Sequence, residues 1–133
     1  MCGSSSLHDA PVNVLERFRL PPVVPGFRPR YNIAPTQEQL TLSVGREGSA
    51  ELAYRRWGLI PSWAKDISVG SRMINARSET IREKPAFRNA IKRRRCLIPA
   101  DGYYEWQDAG GRKRPFFIHR RDGHPVGFAA LAE

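Results

Sequence analysis

The fold is read most clearly from the segment Cys96-Leu97-Ile98-Pro99-Ala100-Asp101-Gly102-Tyr103-Tyr104-Glu105-Trp106-Gln107. Its first residues are apolar and typical of a short strand, Asp101-Gly102 predicts a turn, and the aromatic residues beyond it predict a second strand. Alternation along that strand places Glu105 among aromatic neighbours. A carboxylate there is costly unless paired, and burial would favour its protonated form, which suits proton transfer. The alternative is an edge-strand glutamate that faces water.

Strand patterns recur on both sides of this segment. Leu40, Leu42 and Val44 alternate with polar residues, which predicts a half-buried strand, and the residues after the Gly45–Gly48 turn predict a strand that pairs back on it. Further strands are predicted over 115–119 and 125–131, with short helices after Pro11 and over 87–92. We therefore predict an α+β domain with curved, barrel-like antiparallel sheets and a few short helices.

Composition narrows the class of protein. The 133 residues include 22 Lys plus Arg against 13 Asp plus Glu, a formal charge of +9, which predicts a polyanionic partner, although basic residues can also serve solubility alone. The two cysteines lack the spacing of a disulfide framework or a zinc site, so we predict no metal and no cofactor. No apolar run has membrane-spanning length and no signal peptide is evident, so we expect a cytoplasmic protein.

The first residues, Met1-Cys2-Gly3, carry the most reactive chemistry in the sequence. Removal of Met1 would leave Cys2 with a free amine beside its thiol, whose reference pKa values of about 7.7–8.0 and 8.5 leave part of each deprotonated near neutral pH. Such an aminothiol captures an aldehyde as a Schiff base, onto which the thiolate closes to form a thiazolidine ring. The alternative is that Cys2 belongs to an inert terminus. Cys96, within an apolar strand, is predicted to be a small core residue rather than a nucleophile.

Two features could contact a polyanion. Trp57 and Trp63 flank a Gly/Pro turn, where they could pack in the core or stack on a nucleobase, with Lys65 beside them to contact phosphate. The run Lys92–Arg95 carries four consecutive positive charges, which suit either a solvated edge or a contact surface.

Six blocks of the sequence, in this order along the chain, resemble the SOS response-associated peptidase (SRAP) family. They are Met1-Cys2-Gly3, Arg30-Tyr31-Asn32-Ile33-Ala34-Pro35-Thr36, Arg56-Trp57-Gly58-Leu59-Ile60-Pro61-Ser62-Trp63, Asn75-Ala76-Arg77-Ser78-Glu79-Thr80, Lys84-Pro85-Ala86-Phe87-Arg88 and Arg95–Trp106. The resemblance implies a protein that binds single-stranded DNA and forms a covalent cross-link with the aldehyde of an abasic site. It also implies release of Met1, for which a self-processing peptidase activity has been proposed.

The resemblance also implies residue roles. Cys2 matches the family nucleophile, Asn75 the asparagine that holds the lesion's sugar and the N-terminal cysteine, and Glu105 the glutamate that moves a proton while the imine forms. Arg77 resembles a phosphate-binding arginine. The remaining matches lie in blocks that line the DNA channel or beside them, namely Asn32, Pro35, Trp63 and Lys65.

The match is incomplete in two respects. The family's second half contains a histidine followed by Arg and Pro, to which nothing here corresponds, so we expect residues 1–133 to form a single SRAP-like domain that lacks its C-terminal part. The family's arginine after Cys-Gly is replaced by Ser4-Ser5-Ser6, which removes one expected DNA contact. Two other functions remain open: a single-stranded DNA-binding module without chemistry, and a cysteine-dependent peptidase acting through Cys2. The sequence leaves the oligomeric state open.

Overall fold

The computed structural model describes residues 3–9, 11–21, 24–45 and 47–133. In chain order the elements are β1 (Ser5–Leu7), α1 (Val12–Arg17), β2 (Arg30–Ile33), β3 (Glu38–Val44), β4 (Ala50–Arg56), a 3-10 helix (Ile67–Arg72), α2 (Ala90–Arg93), β5 (Arg95–Ala100), β6 (Gly102–Ala109), β7 (Arg112–His119) and β8 (Val126–Leu131). They form two structural units. The first takes in the described residues up to Ala34 together with Pro99–Gly127, and the second comprises Pro35–Ile98 and Phe128–Glu133.

The first unit is built on a four-stranded sheet with the order β2-β1-β6-β7. The short β1 pairs antiparallel with β2 on one side and with β6 on the other. Helix α1 follows β1, and the backbone N–H groups of Val14 and Leu15 donate to Pro11 O at 3.0 and 2.9 Å. Leu15 is only 1% exposed and forms the core of this unit with Leu7 and Ile33. The short helix predicted after Pro11 is therefore present.

The pairing of β1 with β2 contains an irregularity. Ser5 lies across from Ile33 and Leu7 across from Arg30, so two residues of β2, Tyr31 and Asn32, oppose a single residue of β1. This is the pattern of a β-bulge, which bends the strand and redirects side chains. Both bulged residues are exposed, whereas regular alternation would direct only one of them outward.

The second unit contains a sheet with the order β4-β3-β5-β8. Strand β3 lies between β4 and β5, and four consecutive residues, Gln39 to Leu42, are buried. The prediction that only one face of this strand is buried was therefore wrong. The hydroxyl of Thr41 donates to Ala53 O at 2.8 Å and accepts from the Arg55 guanidinium, so the buried polar group is satisfied.

Residues 78–88 form consecutive turns rather than a helix. Glu83 N and Lys84 N both donate to Thr80 O, but Pro85 has no N–H to continue the helical pattern. Over 78–93, helical geometry is reached only at α2, which overlaps the predicted 87–92 segment and ends one residue beyond it.

The predicted α+β architecture of antiparallel sheets with a few short helices is confirmed. Over the described residues, each sheet is open rather than closed on itself, with two edge strands. Across the same part of the chain, every helix falls short of the length and apolarity that crossing a membrane would require.

Candidate functional site

In the first unit, the N-terminal strand lies directly beside the strand that carries Glu105. Ser5 pairs with Tyr103, and the backbone N–H of Tyr104 donates to Ser4 O at 2.9 Å. Glu105 itself is half-buried, lies across from Phe116 of β7 and has an interaction partner in the structure. The predicted aromatic strand around Glu105 is thus confirmed. Ser4, near the start of the described chain, is hydrogen-bonded to the backbone of the residue that precedes Glu105.

Asp101 accepts hydrogen bonds from the backbone at the C-terminal end of β1. Its Oδ2 accepts backbone N–H groups from His8 at 2.6 Å and Asp9 at 3.0 Å, and lies 3.1 Å from His8 Nδ1. The Asp101 backbone N–H donates to Ser6 O at 2.8 Å. A single carboxylate in the β5–β6 turn therefore fixes the point at which β1 leaves the sheet.

Asn32, predicted to line a DNA channel, is exposed on the bulged part of β2. Its Oδ1 accepts a hydrogen bond from the Ser4 hydroxyl. Ser4 is 6% exposed, so its side chain is buried rather than open to solvent. Asn32 consequently orients the chain two residues from Cys2 and remains open to solvent.

In the second unit, a close backbone crossing leads to Asn75. Gly58 has φ +126°, and a Cβ on it would lie 2.4 Å from Gly70 O. Leu59 N donates to Met73 O at 3.1 Å, and the Trp57 indole N–H donates to Ile74 O at 2.8 Å. The segment before Asn75 is thereby fixed against the end of β4, and Asn75 follows as an exposed residue with an interaction partner.

The two tryptophans have different environments. Trp57 is half-buried and hydrogen-bonded, as a packing residue would be, whereas Trp63 is 62% exposed and Lys65 beside it is exposed. Asp66 follows and caps the 3-10 helix: the Ser68 hydroxyl and backbone N–H both donate to its carboxylate, which lowers the pKa of Asp66 below its ordinary value. This cap fixes the backbone just beyond Lys65.

The remaining predicted DNA-contacting residues of the second unit are Pro35 and Arg77. Pro35 is half-buried in a turn, where Thr36, at φ +73°, donates its N–H to Trp57 O at 2.8 Å. Arg77 is exposed two residues after Asn75. The second unit therefore contains Pro35, Trp63, Lys65, Asn75 and Arg77, and the first contains Asn32 and Glu105. Cys2 lies outside the described residues.

Sequence reasoning missed the exposure of Tyr31 and the contacts of Asp101. Tyr31 is 64% exposed on an edge strand, and Asp101 makes the contacts that hold β1. The only sequence signal for Asp101 was its place in the turn before Gly102. No local pattern could show that its partners lie more than 90 positions earlier.

Cys96 is 7% exposed in β5, as predicted for a small core residue. Burial raises the pKa of its thiol, against a smaller opposing effect of Arg55, so it is a poor nucleophile at neutral pH. Within the described ranges, no group of three or more His, Cys, Asp or Glu residues is arranged to hold a metal ion.

Comparison with known proteins identifies the family of this chain. The family model described as SOS response associated peptidase (SRAP) matches residues 1–133. The chain belongs to the SRAP family. Among relatives of this SRAP chain, the abasic site processing protein YoaM of Bacillus subtilis is 41% identical over 136 residues. The alignment covers all of this chain and 60% of that relative.

A second relative of this SRAP chain is the abasic site processing protein YedK of Escherichia coli. It is 38% identical over 102 residues, which cover 77% of this chain and 44% of that protein. Among solved structures, a phage-related protein from Bordetella bronchiseptica has a TM-score of 0.76 and 35% identity, covering 98% of this chain and 60% of its own. The SRAP chain thus spans about 60% of the length of its full-coverage curated relatives.

Proposed function

We propose that this chain processes abasic sites: it binds single-stranded DNA and traps the lesion's aldehyde on Cys2 once Met1 has been removed. The support is the match to the SRAP family over residues 1–133, together with relatives named as abasic site processing proteins. The observation that carries the proposal is the pairing of β1 with β6, which leads the start of the described chain to the strand of Glu105.

The proposed chemistry needs no oxidant. The Cys2 amine adds to the aldehyde carbon of the ring-opened sugar, the carbinolamine loses water, and an imine forms. The thiolate then adds to the imine carbon while the nitrogen takes a proton, which closes the thiazolidine. In this proposal Glu105 moves the proton during ring opening and imine formation, and Asn75 donates hydrogen bonds to the sugar and to Cys2.

We further propose that Asn32, Pro35, Trp63, Lys65 and Arg77 contact the DNA strand. The exposure of Trp63 and Lys65 supports this role for the loop before the 3-10 helix, because bases stack on exposed aromatic rings while cations contact phosphate. Arg77 is exposed and close in sequence to Asn75, so it could hold a phosphate next to the lesion.

The test compares thiol variants that keep the terminal amine. Wild-type protein lacking Met1 should form a cross-link with an abasic single strand that survives a denaturing gel. Cys2→Ser should form only an imine, visible after borohydride reduction and otherwise lost, because a hydroxyl closes poorly onto the imine carbon. The matched control Cys96→Ser should cross-link as the wild type does. An equally stable unreduced cross-link in Cys2→Ser would refute the thiazolidine step.

The word peptidase in the family description favours a second activity, removal of the chain's own Met1. In that proposal the Cys2 thiolate attacks the carbonyl carbon of Met1, Glu105 protonates the leaving Cys2 amine, and Met1 is left as a thioester on the Cys2 sulfur. Water then hydrolyses the thioester, which releases methionine and regenerates the thiol. The intact mass of Glu105→Ala and Glu105→Gln, expressed beside wild type, tests it. Retained Met1 in both variants supports self-processing, and complete removal in both assigns the step to a host aminopeptidase.

A further inference from the structure

Tyr31 is a large aromatic side chain that the fold holds outward. It is 64% exposed and lies in the bulged part of β2, which is an edge strand of the first sheet. Burial of an aromatic ring is strongly favourable, so a ring kept in solvent on an ordered strand has a surface available for a partner.

The ring of Tyr31 is supported on one side. The imidazole of His8 stacks against it with ring centroids 4.9 Å apart and an interplanar angle of 15°. His8 is itself fixed, because its Nδ1 lies 2.7 Å from the Ser6 hydroxyl and 3.1 Å from Asp101 Oδ2. The Tyr31 backbone is also held, since the Tyr104 hydroxyl donates to Tyr31 O at 3.2 Å. Little conformational freedom would be lost when a ligand stacks on such a preorganised ring.

The chemistry around the ring selects the ligand. A flat, preoriented aromatic face recognises another flat π system, and the exposed Arg28 nearby in sequence adds positive charge. Asn32, also exposed, follows Tyr31 directly on a strand that pairs with β1. A polyanion with unpaired bases satisfies both the aromatic and the electrostatic requirement.

We propose that Tyr31, backed by His8, is a stacking site for one unpaired nucleobase of the strand that contains the lesion. This inference rests on the proposed single-stranded DNA binding and adds Tyr31 to the DNA contacts already proposed, among which Asn32 also lies in the first unit. The contact is to an undamaged base, so it contributes to affinity for the strand and not to the aldehyde chemistry.

The first test measures binding of an undamaged single-stranded oligonucleotide by fluorescence anisotropy. Tyr31→Phe keeps the ring and should bind within about twofold of wild type, whereas Tyr31→Leu keeps apolar bulk over His8 and should bind about fivefold to a hundredfold more weakly, the range expected for one lost base stack. The matched control is Tyr54→Leu, which alters a tyrosine of β4 that is 41% exposed and should leave binding unchanged. Circular dichroism checks that each variant is folded.

The second test needs no variant. An oligonucleotide carrying 5-iodouracil at successive positions is irradiated with wild-type protein, and the attached peptide is identified by mass spectrometry. Attachment at Tyr31 supports the proposal, and attachment only elsewhere overturns it, as does Tyr31→Leu binding equal to wild type. Wild-type protein that binds no single strand refutes the proposed function itself. If wild-type protein binds the single strand and cross-links to the abasic site, and Tyr31→Leu binds with the same affinity, only the Tyr31 proposal is refuted.

Discussion

Replacing Gly58 by alanine should disrupt the backbone crossing that leads to Asn75. The new Cβ would lie 2.4 Å from Gly70 O and 2.9 Å from the Gly70 carbonyl carbon, distances that real Cβ contacts do not show. The crossing must therefore open, and it carries the hydrogen bonds of Leu59 and Trp57 to the segment before Asn75. Such overpacking costs about 1–3 kcal/mol, in addition to ~1–3 kcal/mol of backbone strain at φ +126°.

Gly48→Ala separates the clash from the strain. Gly48 is in the turn between β3 and β4 of the same unit, has φ +79°, and a Cβ there would meet nothing within 4 Å. Gly48→Ala should therefore lower the free energy of unfolding only by the cost of a left-handed backbone at alanine, about 1–2 kcal/mol. We therefore expect Gly58→Ala to lose at least ~1 kcal/mol more unfolding free energy than Gly48→Ala.

Urea unfolding followed by fluorescence of the three tryptophans measures both variants, with the free energy extrapolated to water. The rate of cross-linking to an abasic oligonucleotide is the functional readout. Gly58→Ala should slow it at saturating DNA by displacing Asn75, while folded Gly48→Ala should match wild type. Equal losses of unfolding free energy in the two variants would contradict the assignment of Gly58 as a steric requirement of this crossing.

Three further predictions concern other parts of the chain. Native Cys96 should resist iodoacetamide at pH 8 and react after unfolding. Because folding raises the pKa of its thiol, the thiol's contribution to the free energy of unfolding is complete below the ordinary thiol pKa and is lost as the pH rises through the folded-state pKa. Urea titrations of wild type and Cys96→Ala at several pH values measure this contribution. Lys65→Ala and Arg77→Ala should each reduce the slope of log Kd against log salt for single-stranded DNA by about 0.7, and an unchanged slope would exclude a phosphate contact. Asp101→Ala should lose roughly 2–4 kcal/mol of unfolding free energy, measured in urea, because two backbone donors of β1 lose a charged acceptor, and Asp101→Asn should lose less.

The sequence predicts the elements whose signals are local. Among the described residues, six of the eight strands follow from apolar alternation and Gly-containing turns, and α1 follows from its apolar spacing after Pro11. Strand β1 was missed because it is three residues long and begins with serines, which have little strand preference. It exists because β2 and β6, both distant in sequence, supply hydrogen-bond partners on its two sides.

Burial was harder to predict than secondary structure. The alternation of Leu40 and Leu42 with Thr41 predicts that Thr41 faces solvent, yet Thr41 is only 3% exposed. Its hydroxyl contacts Ala53 O and Arg55 of β4, and these contacts exist only once the two strands pair. The same limit applies to the tryptophans, because Trp57 finds a carbonyl partner at Ile74 whereas Trp63 does not pack away from solvent. The sequence was sufficient to nominate the candidate site residues. The pairing that places the start of β1 beside the strand of Glu105 is visible only in the structure.

Strand β7 has a consequence for handling the protein. All eight of its residues are exposed at the border of the first sheet, including Phe116 and Ile118, so the strand offers backbone groups and apolar side chains to neighbouring molecules. The segment Arg112-Lys113-Arg114 repels an identical strand, and Pro115 removes one donor from the row. Salt shortens the reach of that repulsion. Concentrated solutions should therefore stay clear at low ionic strength and become turbid as salt is added.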